Sequence, residues 1–281
     1  MTIVVFGASS QIGHFLLPRL RARGAPVTAL SRKLRPAQAG VQWLQGELPG
    51  AIPAVEQPSA VISFGPLKPF GEWLASARLP ASTRVIATSS MSAESKQASE
   101  VAAERALSQM LRDGEATVAA ACDAHDLPWT IFRPTIIYGA GIDKSLTPIA
   151  QRASRLHVFP LPAGRGLRQP VHADDIAAAV VAALDQPEAA GRILPLGGGE
   201  RLTAGEMFAR VRRSLATPTL PVPIPAALLR LARHAVPRLR GPLTRLEADL
   251  IADNSELQRL LGVSPRPFRP DATCWIPQPP L

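Results

Sequence analysis

The stretch MTIVVFGASSQIGHFLLPRLRARGAPVTALSR, residues 1–32, decides how the chain is read. Residues 2–6 are a short apolar, β-branched run, the composition of a strand buried on both faces. Gly7-Ala8-Ser9-Ser10-Gln11-Ile12-Gly13 follows as a turn of small residues. Ile12, Phe15, Leu16 and Leu20 then recur at helical spacing, and Gly24 ends that run. Residues 26–31 form a second apolar run, which Arg32 closes. The unit is strand, turn, helix, strand. Its first turn presents free backbone N–H groups and the positive end of a helix dipole, a site for an anion.

The turn departs from the three-glycine dinucleotide pattern. Gly7 suits the tight turn and Gly13 lets the helix pack close to the strand. The middle position is Ser10, which can cap the helix or bond a phosphate but adds a Cβ where the pyrophosphate should approach. Ser9, Gln11 and Ile12 complete the loop that would lie under the pyrophosphate. Where the second strand ends, a carboxylate would take a ribose 2′-hydroxyl; here stand Ser31-Arg32-Lys33, with Arg35 behind and no acid until Glu47. That set suits the 2′-phosphate of NADP(H), the alternative being an ordinary solvated basic loop. Gly46, Glu47 and Leu48 fall where such folds place residues near the adenine, and Phe64-Gly65-Pro66 reads as a wall beside the cofactor.

Further apolar runs at residues 41–44, 60–64, 84–87 and 129–132 alternate with helical stretches at 70–77, 100–111 and 115–124. Asp113-Gly114 reads as the break between the last two. This alternation predicts an α/β fold with a doubly wound parallel sheet of the Rossmann kind. After about residue 140 the apolar runs shorten and prolines multiply. Residues 173–184 read as a helix with Asp174 and Asp175 in its first turn, where the dipole favours them. Residues 192–196 read as a strand, and Thr203 with Glu206 spells a capping box for a helix reaching about residue 215. Residues 226–234 are basic and amphipathic, read as a packed surface helix in preference to one lying on a membrane. The proline-rich tail, residues 265–281, is expected to hug the surface. The expected division is a dinucleotide-binding domain over 1–140, to which 173–196 returns, and a smaller, discontinuous α/β lobe on the substrate side within 141–281.

The whole composition bounds the reading. The 281 residues are 46% hydrophobic, ample for a buried core. No run of 18 uninterrupted apolar residues occurs, so no transmembrane helix is expected. The first residues lack the basic region of a signal peptide. Cys122 and Cys274 fit no metal or redox spacing, and no metal site is expected. These features point to a cytoplasmic protein. The net charge is +9, almost all of it from arginine, with only four lysines. No helix-turn-helix, zinc or aromatic RNA-binding pattern accompanies it, so neither nucleic acid nor membrane is expected as a partner. Anionic cofactors suit the charge better. A monomer or homodimer fits the sequence.

Four pieces, in order, carry a family likeness: the N-terminal GASSQIG; Thr88-Ser89-Ser90 after the fifth strand; LPWTIFRPTIIYG at 127–139; and QPVHADDI at 169–176. The stretch DNSELQRLLGVSPRPF at 253–268 adds to them. Together they resemble the extended and atypical branches of the short-chain dehydrogenase/reductase superfamily, the NAD(P)-dependent epimerase/dehydratase group, over nearly the whole chain. The resemblance implies a Rossmann fold, a nicotinamide dinucleotide, and a serine or threonine after the fifth strand in the chemistry. It also implies a tyrosine and a lysine four residues apart on the following helix, passing a proton as hydride moves. The single tyrosine, Tyr138, belongs to the Arg-Pro…Tyr-Gly segment instead. Counting back from Arg133 puts the expected pair at Leu107 and Leu111, so the pair is absent.

Ser89, Ser90 and Lys96 are the catalytic candidates that remain. Arg133 and His172 are candidates on the substrate side, each with a structural role as the alternative. Asp174 and Asp175 read as a helix N-terminus and Tyr138 as a packing residue. The leading expectation is an NADP(H)-dependent oxidoreductase acting on a small carbonyl or quinone-like substrate. The alternatives are a catalytically inactive NADP(H) sensor or scaffold, and a nucleotide-sugar epimerase or dehydratase, which most needs the missing base.

Overall fold

The computed structural model describes residues 2–36, 38–55, 57–236 and 240–278. The chain opens with β1 (Ile3–Phe6), α1 (Gln11–Ala22), β2 (Val27–Ser31), β3 (Val41–Gln45), β4 (Ala60–Ser63), α2 (Leu67–Ser76) and β5 (Arg84–Thr88). It continues through α3 (Ser92–Ser95), α4 (Ala102–Asp123), β6 (Trp129–Pro134), β7 (Ile137–Tyr138), α5 (Thr147–Leu156), β8 (Val158–Pro162), β9 (Leu167–Arg168) and β10 (Val171–His172). Then come α6 (Ala173–Asp185), β11 (Arg192–Leu196), β12 (Leu202–Thr203), α7 (Ala204–Arg213), β13 (Leu220–Ile224), α8 (Ala226–Ala235), α9 (Arg240–Glu247) and α10 (Ser255–Leu261).

Seven strands form one parallel sheet in the order β11-β6-β5-β4-β1-β2-β3. Chain order reverses between β1 and β4, which leaves a crevice at the carboxyl ends of the strands. Alternate residues feed the two faces, as strand geometry requires. Ile3 and Val5 of β1 join Leu16, Leu17 and Leu20 of α1 and Ile176 and Val180 of α6 in one core. Val4 and Phe6 join Phe70 and Leu74 of α2 and Val118 of α4 in the other. This is the doubly wound α/β fold read from the apolar runs.

Two expectations need correction. Residues 102–123 form one helix without a break at Asp113-Gly114. Gly114 is buried against α2: a Cβ there would stand 2.7 Å from Leu67 Cβ. On α2, a Cβ at Gly71 would stand 2.9 Å from the Thr117 carbonyl carbon of α4. Both glycines serve the close approach of two helices, not a turn. The tail, moreover, does not merely hug the surface. Phe268, Cys274 and Trp275 are buried with Tyr138, Leu146, Phe159 and Val211 in a third core. The helix at 226–235 meets α9, with Leu228 and Leu231 54% and 66% exposed.

Candidate active site

The crevice between the ends of β1, β2, β3 and β4 holds a cleft of about 430 Å³. Ten residues read from the sequence line it: Gly7, Ser9, Ser10, Ser31, Arg32, Glu47, Leu48, Phe64, Gly65 and Pro66. Phe6, Leu30 and Gly46 complete the wall. Gly46 was read together with Glu47 and Leu48; sequence reasoning missed Phe6 and Leu30, whose only signal is that they stand among the last two residues of β1 and β2. Arg32 is the one cation among these lining residues and Glu47 the one acid.

The turn under the cleft has the shape an anion site needs. Gly7 adopts φ +69°, a left-handed conformation that glycine takes without strain. A Cβ at Gly13 would stand 2.1 Å from the Ala8 carbonyl oxygen, so only glycine lets α1 begin this close to the turn. Ser10 caps α1: its hydroxyl accepts from the Gly13 N–H at 3.2 Å. Its Oγ is thereby turned to the helix. The amides of Gln11 and Ile12 sit in the first helical turn, where no intrahelical acceptor exists. The Gln11 side-chain oxygen is buried with no hydrogen-bond partner in the protein. A dinucleotide fits such a turn through the free backbone amides of its first helical turn. Ile12 and Gly13 lie buried behind the turn and do not line the cleft.

At the adenosine end the three cations separate. Arg32 lines the cleft, and its carbonyl accepts from Gln45 Nε2 at 3.2 Å. Ser31 is buried, with its hydroxyl accepting from the Lys33 N–H at 3.2 Å, and Lys33 is not among the lining residues. Arg35 lies over the Trp43 ring, 5.9 Å from its centroid, and belongs to the packing of β3. A 2′-phosphate would therefore meet one arginine and one serine, not three cations.

Beyond the cleft, at the end of β5, the Ser89 N–H donates to the Phe132 carbonyl at 2.7 Å. The Ser89 hydroxyl is buried and unpartnered. The Ser90 hydroxyl accepts from the Ser92 N–H at 3.1 Å and keeps its own proton to donate. Leu107 and Leu111 lie one turn apart on α4, half-buried, with no titratable group between them. Lys96 stands 3.8 Å from the Glu104 carboxylate. Burial lowers the Lys96 pKa, against the pull of Glu104. Glu104, which sequence reasoning passed over, also accepts from Ser99 Oγ at 2.7 Å and pairs with Arg245 of α9 at 2.8 Å. Lys96 is thus part of an ion cluster joining α4 to α9.

Arg133 and His172 both have partners within the protein. The Arg133 guanidinium binds Glu115 of α4 in a fork, Nε at 2.8 Å and Nη2 at 2.5 Å, and binds Glu94 through Nη1. It ties β6 to Glu115 in the alanine-rich α4 and to Glu94 in α3, and neither acid was visible as its partner in the sequence. His172 Nδ1 accepts from the Asp174 N–H at 3.1 Å as the cap of α6. Its ring packs edge-on against Phe15 and Tyr138, with centroids 5.1 and 5.0 Å away. Burial and the nearby Arg266 lower its pKa, consistent with a neutral ring accepting at Nδ1. Asp174 and Asp175 bind Arg19 and Arg266, as a helix N-terminus and not as a catalytic pair. Tyr138 is fully buried, and burial raises its pKa. Among the described residues no cluster of His, Cys, Asp and Glu could hold a metal ion.

Residues 81–197 match the pattern of the NAD dependent epimerase/dehydratase family. This match supports a likeness to the short-chain dehydrogenase/reductase superfamily. One curated relative of the superfamily is a UDP-glucose 4-epimerase of Vibrio cholerae, 27% identical over 138 residues. That match spans 48% of this chain and 41% of the relative. The chain is also similar to solved superfamily structures over nearly its full length. MoeE5 in complex with UDP-glucuronic acid and NAD superposes with a TM-score of 0.72 at 17% identity, covering 98% of this chain and 97% of the other. A UDP-glucuronic acid 4-epimerase from Bacillus cereus in complex with NAD gives 0.71 at 14%, covering 98% and 94%. At these identities the likeness establishes the fold. The family supplies a nicotinamide nucleotide as the cofactor class.

Proposed function

We propose that the chain binds NADP(H) in the cleft at the ends of β1 to β4 and transfers hydride between its nicotinamide and a small carbonyl substrate. One observation carries the reading: ten residues picked from four separate strand ends line one cleft, with Arg32 as its cation. The pyrophosphate would lie over Ser9 to Ile12 and the 2′-phosphate at Ser31 and Arg32. When bound, the cofactor supplies or accepts the hydride. Ser90 is the residue to orient the substrate oxygen, because its hydroxyl has a proton left to donate. Solvent or substrate supplies the chemical proton, and correct placement alone lowers the barrier, by up to about 7–11 kcal/mol in favourable systems. The two cysteines are free and buried, with the Cys122 thiol pushed up to about 12 by burial. No described helix is long and apolar enough to cross a membrane. The free cysteines support a cytoplasmic setting.

A second reading, a catalytically silent NADP(H) sensor, is favoured by Leu107 and Leu111 standing where the acid/base pair would be. The names of the relatives favour a third reading, sugar-nucleotide epimerisation, but that chemistry needs a base for a hydroxyl proton. Leu107 and Leu111 supply none. The test follows nicotinamide absorbance in single turnovers. Protein with NADPH meets aldehydes, ketones and quinones; protein with NADP⁺ or NAD⁺ meets UDP-glucose and UDP-glucuronic acid. Oxidation of NADPH by a carbonyl or quinone, slowed about tenfold or more by Ser90→Ala, is the expected result. Firm NADPH binding with no redox change in any mixture would leave the sensor reading. Turnover of a UDP-sugar alone would establish the third.

A further inference from the structure

The smaller lobe carries exposed aliphatic side chains that the cofactor cleft does not use. Val158 of β8 is paired directly with Leu220 of β13. Val222 follows two residues on, so all three side chains stand on one face of the ribbon. Leu220 is 65% exposed, and Val158, Val222 and the preceding Leu156 are exposed with it. The ribbon leads through Pro225 into α8, where Leu228 and Leu231 lie one turn apart, both more than half exposed, and Val236 follows, also exposed. Monomeric proteins seldom present so many large aliphatic groups along one segment.

The charge of the same segment is of one sign. Between Glu206 and Glu247 stand eight arginines and no acid; of these, Arg210 is paired with Glu200 and Arg245 with Glu104. Arg152 and Arg155 of α5, next to Leu156, and Arg213 at the end of α7 are exposed beside them. The exposed Arg152, Arg155 and Arg213 favour an anionic occupant that also takes up aliphatic groups. A second copy would set these arginines against one another. A nucleic acid would meet the charge but has no use for leucine and valine. An anionic bilayer answers both demands, with arginines at the headgroups and leucines at the acyl boundary.

We propose that the ribbon of β8 and β13 together with α8 docks this protein reversibly on an anionic lipid surface. The helix read as a packed surface helix at 226–234 meets α9 and still leaves these leucines exposed for such a surface. The test is co-sedimentation of the full chain with vesicles of phosphatidylcholine alone and of phosphatidylcholine mixed with phosphatidylglycerol. Binding is expected only with phosphatidylglycerol, weakening as salt is raised. The double variant Leu228→Glu, Leu231→Glu is expected to lose about tenfold or more in affinity, with its circular dichroism and melting midpoint unchanged. Should that variant misfold, Leu220→Glu on the ribbon serves the same purpose and carries the same expectation. No binding to anionic vesicles, or binding that the correctly folded variants retain, overturns the proposal. A dimer in solution that these substitutions dissolve would assign the face to a second copy and overturn it as well.

Discussion

Gly13 is the residue on which the cofactor turn depends most. Its Cα hydrogen faces the Ala8 carbonyl, and a methyl group there would stand 2.1 Å from that oxygen. Gly13→Ala should destabilise the fold by about 1–3 kcal/mol, and more if the turn cannot shift. It should also weaken dinucleotide binding, read by thermal melting and titration. Ser10 behaves differently, because its Oγ bonds Gly13 N and not the cleft. Ser10→Ala should cost about 1 kcal/mol and Ser10→Gly only a few tenths. Either should leave dinucleotide affinity within about threefold, since 1.4 kcal/mol is tenfold. Gly7, Gly13 and Arg32 were legible because each stands at a fixed place relative to a strand end. The partners of Arg133 and His172 were not. Glu115 lies 18 residues before Arg133 in sequence, and a histidine that caps a helix looks the same in a string as one that meets a substrate.

At the scale of elements, the pairing of α2 with α4 shows why a helix-breaking residue can be misread. Glycine in an exposed helix interior costs about 1 kcal/mol relative to alanine, so Asp113-Gly114 read as a boundary. Packing overrides that preference: Gly114 faces Leu67, and Gly71 faces Thr117 and Val118. Gly114→Ala should therefore destabilise by about 1–3 kcal/mol, reversing the sign that propensity gives. Urea unfolding measures it, and a gain in stability would contradict the packing described. Strands and local caps were easier to read than tertiary contacts. The capping box of Thr203 and Glu206 is present in full, with the Thr203 N–H donating to Glu206 at 2.8 Å. Both its members lie three residues apart, whereas the burial of Phe268 and Trp275 depends on β7 and α7, far away in sequence.

Across the whole molecule, an ion network joins what the sheet does not. Asp174 at the start of α6 accepts from Arg19 of α1 at 2.8 Å and from Arg266 of the C-terminal segment at 2.7 Å. Burial pushes the Asp174 carboxyl up, but the bonds from Arg19 and Arg266 outweigh it and hold its pKa below the ordinary carboxylate value. The folded protein thus binds this proton more weakly than the unfolded chain. The contribution is complete above the unfolded pKa, about 3.9, and is lost as pH falls through the lower folded value. Asp174→Asn should therefore lower the melting midpoint at neutral pH and flatten its decline on the acid side. Parallel melting curves for the two proteins over that range would contradict the network.

The central claim is that the cleft at the sheet's switch point holds NADP(H), with Arg32 on its 2′-phosphate. Titration of the purified protein and of Arg32→Ala with NADPH and with NADH tests it most directly. The expected result is tight NADPH binding and weak NADH binding in the unaltered protein. In the variant, NADPH affinity should fall about 10- to 100-fold, the loss of one charge-assisted contact, while NADH affinity stays nearly constant. Equal losses for the two dinucleotides, or no binding of either, would contradict the account.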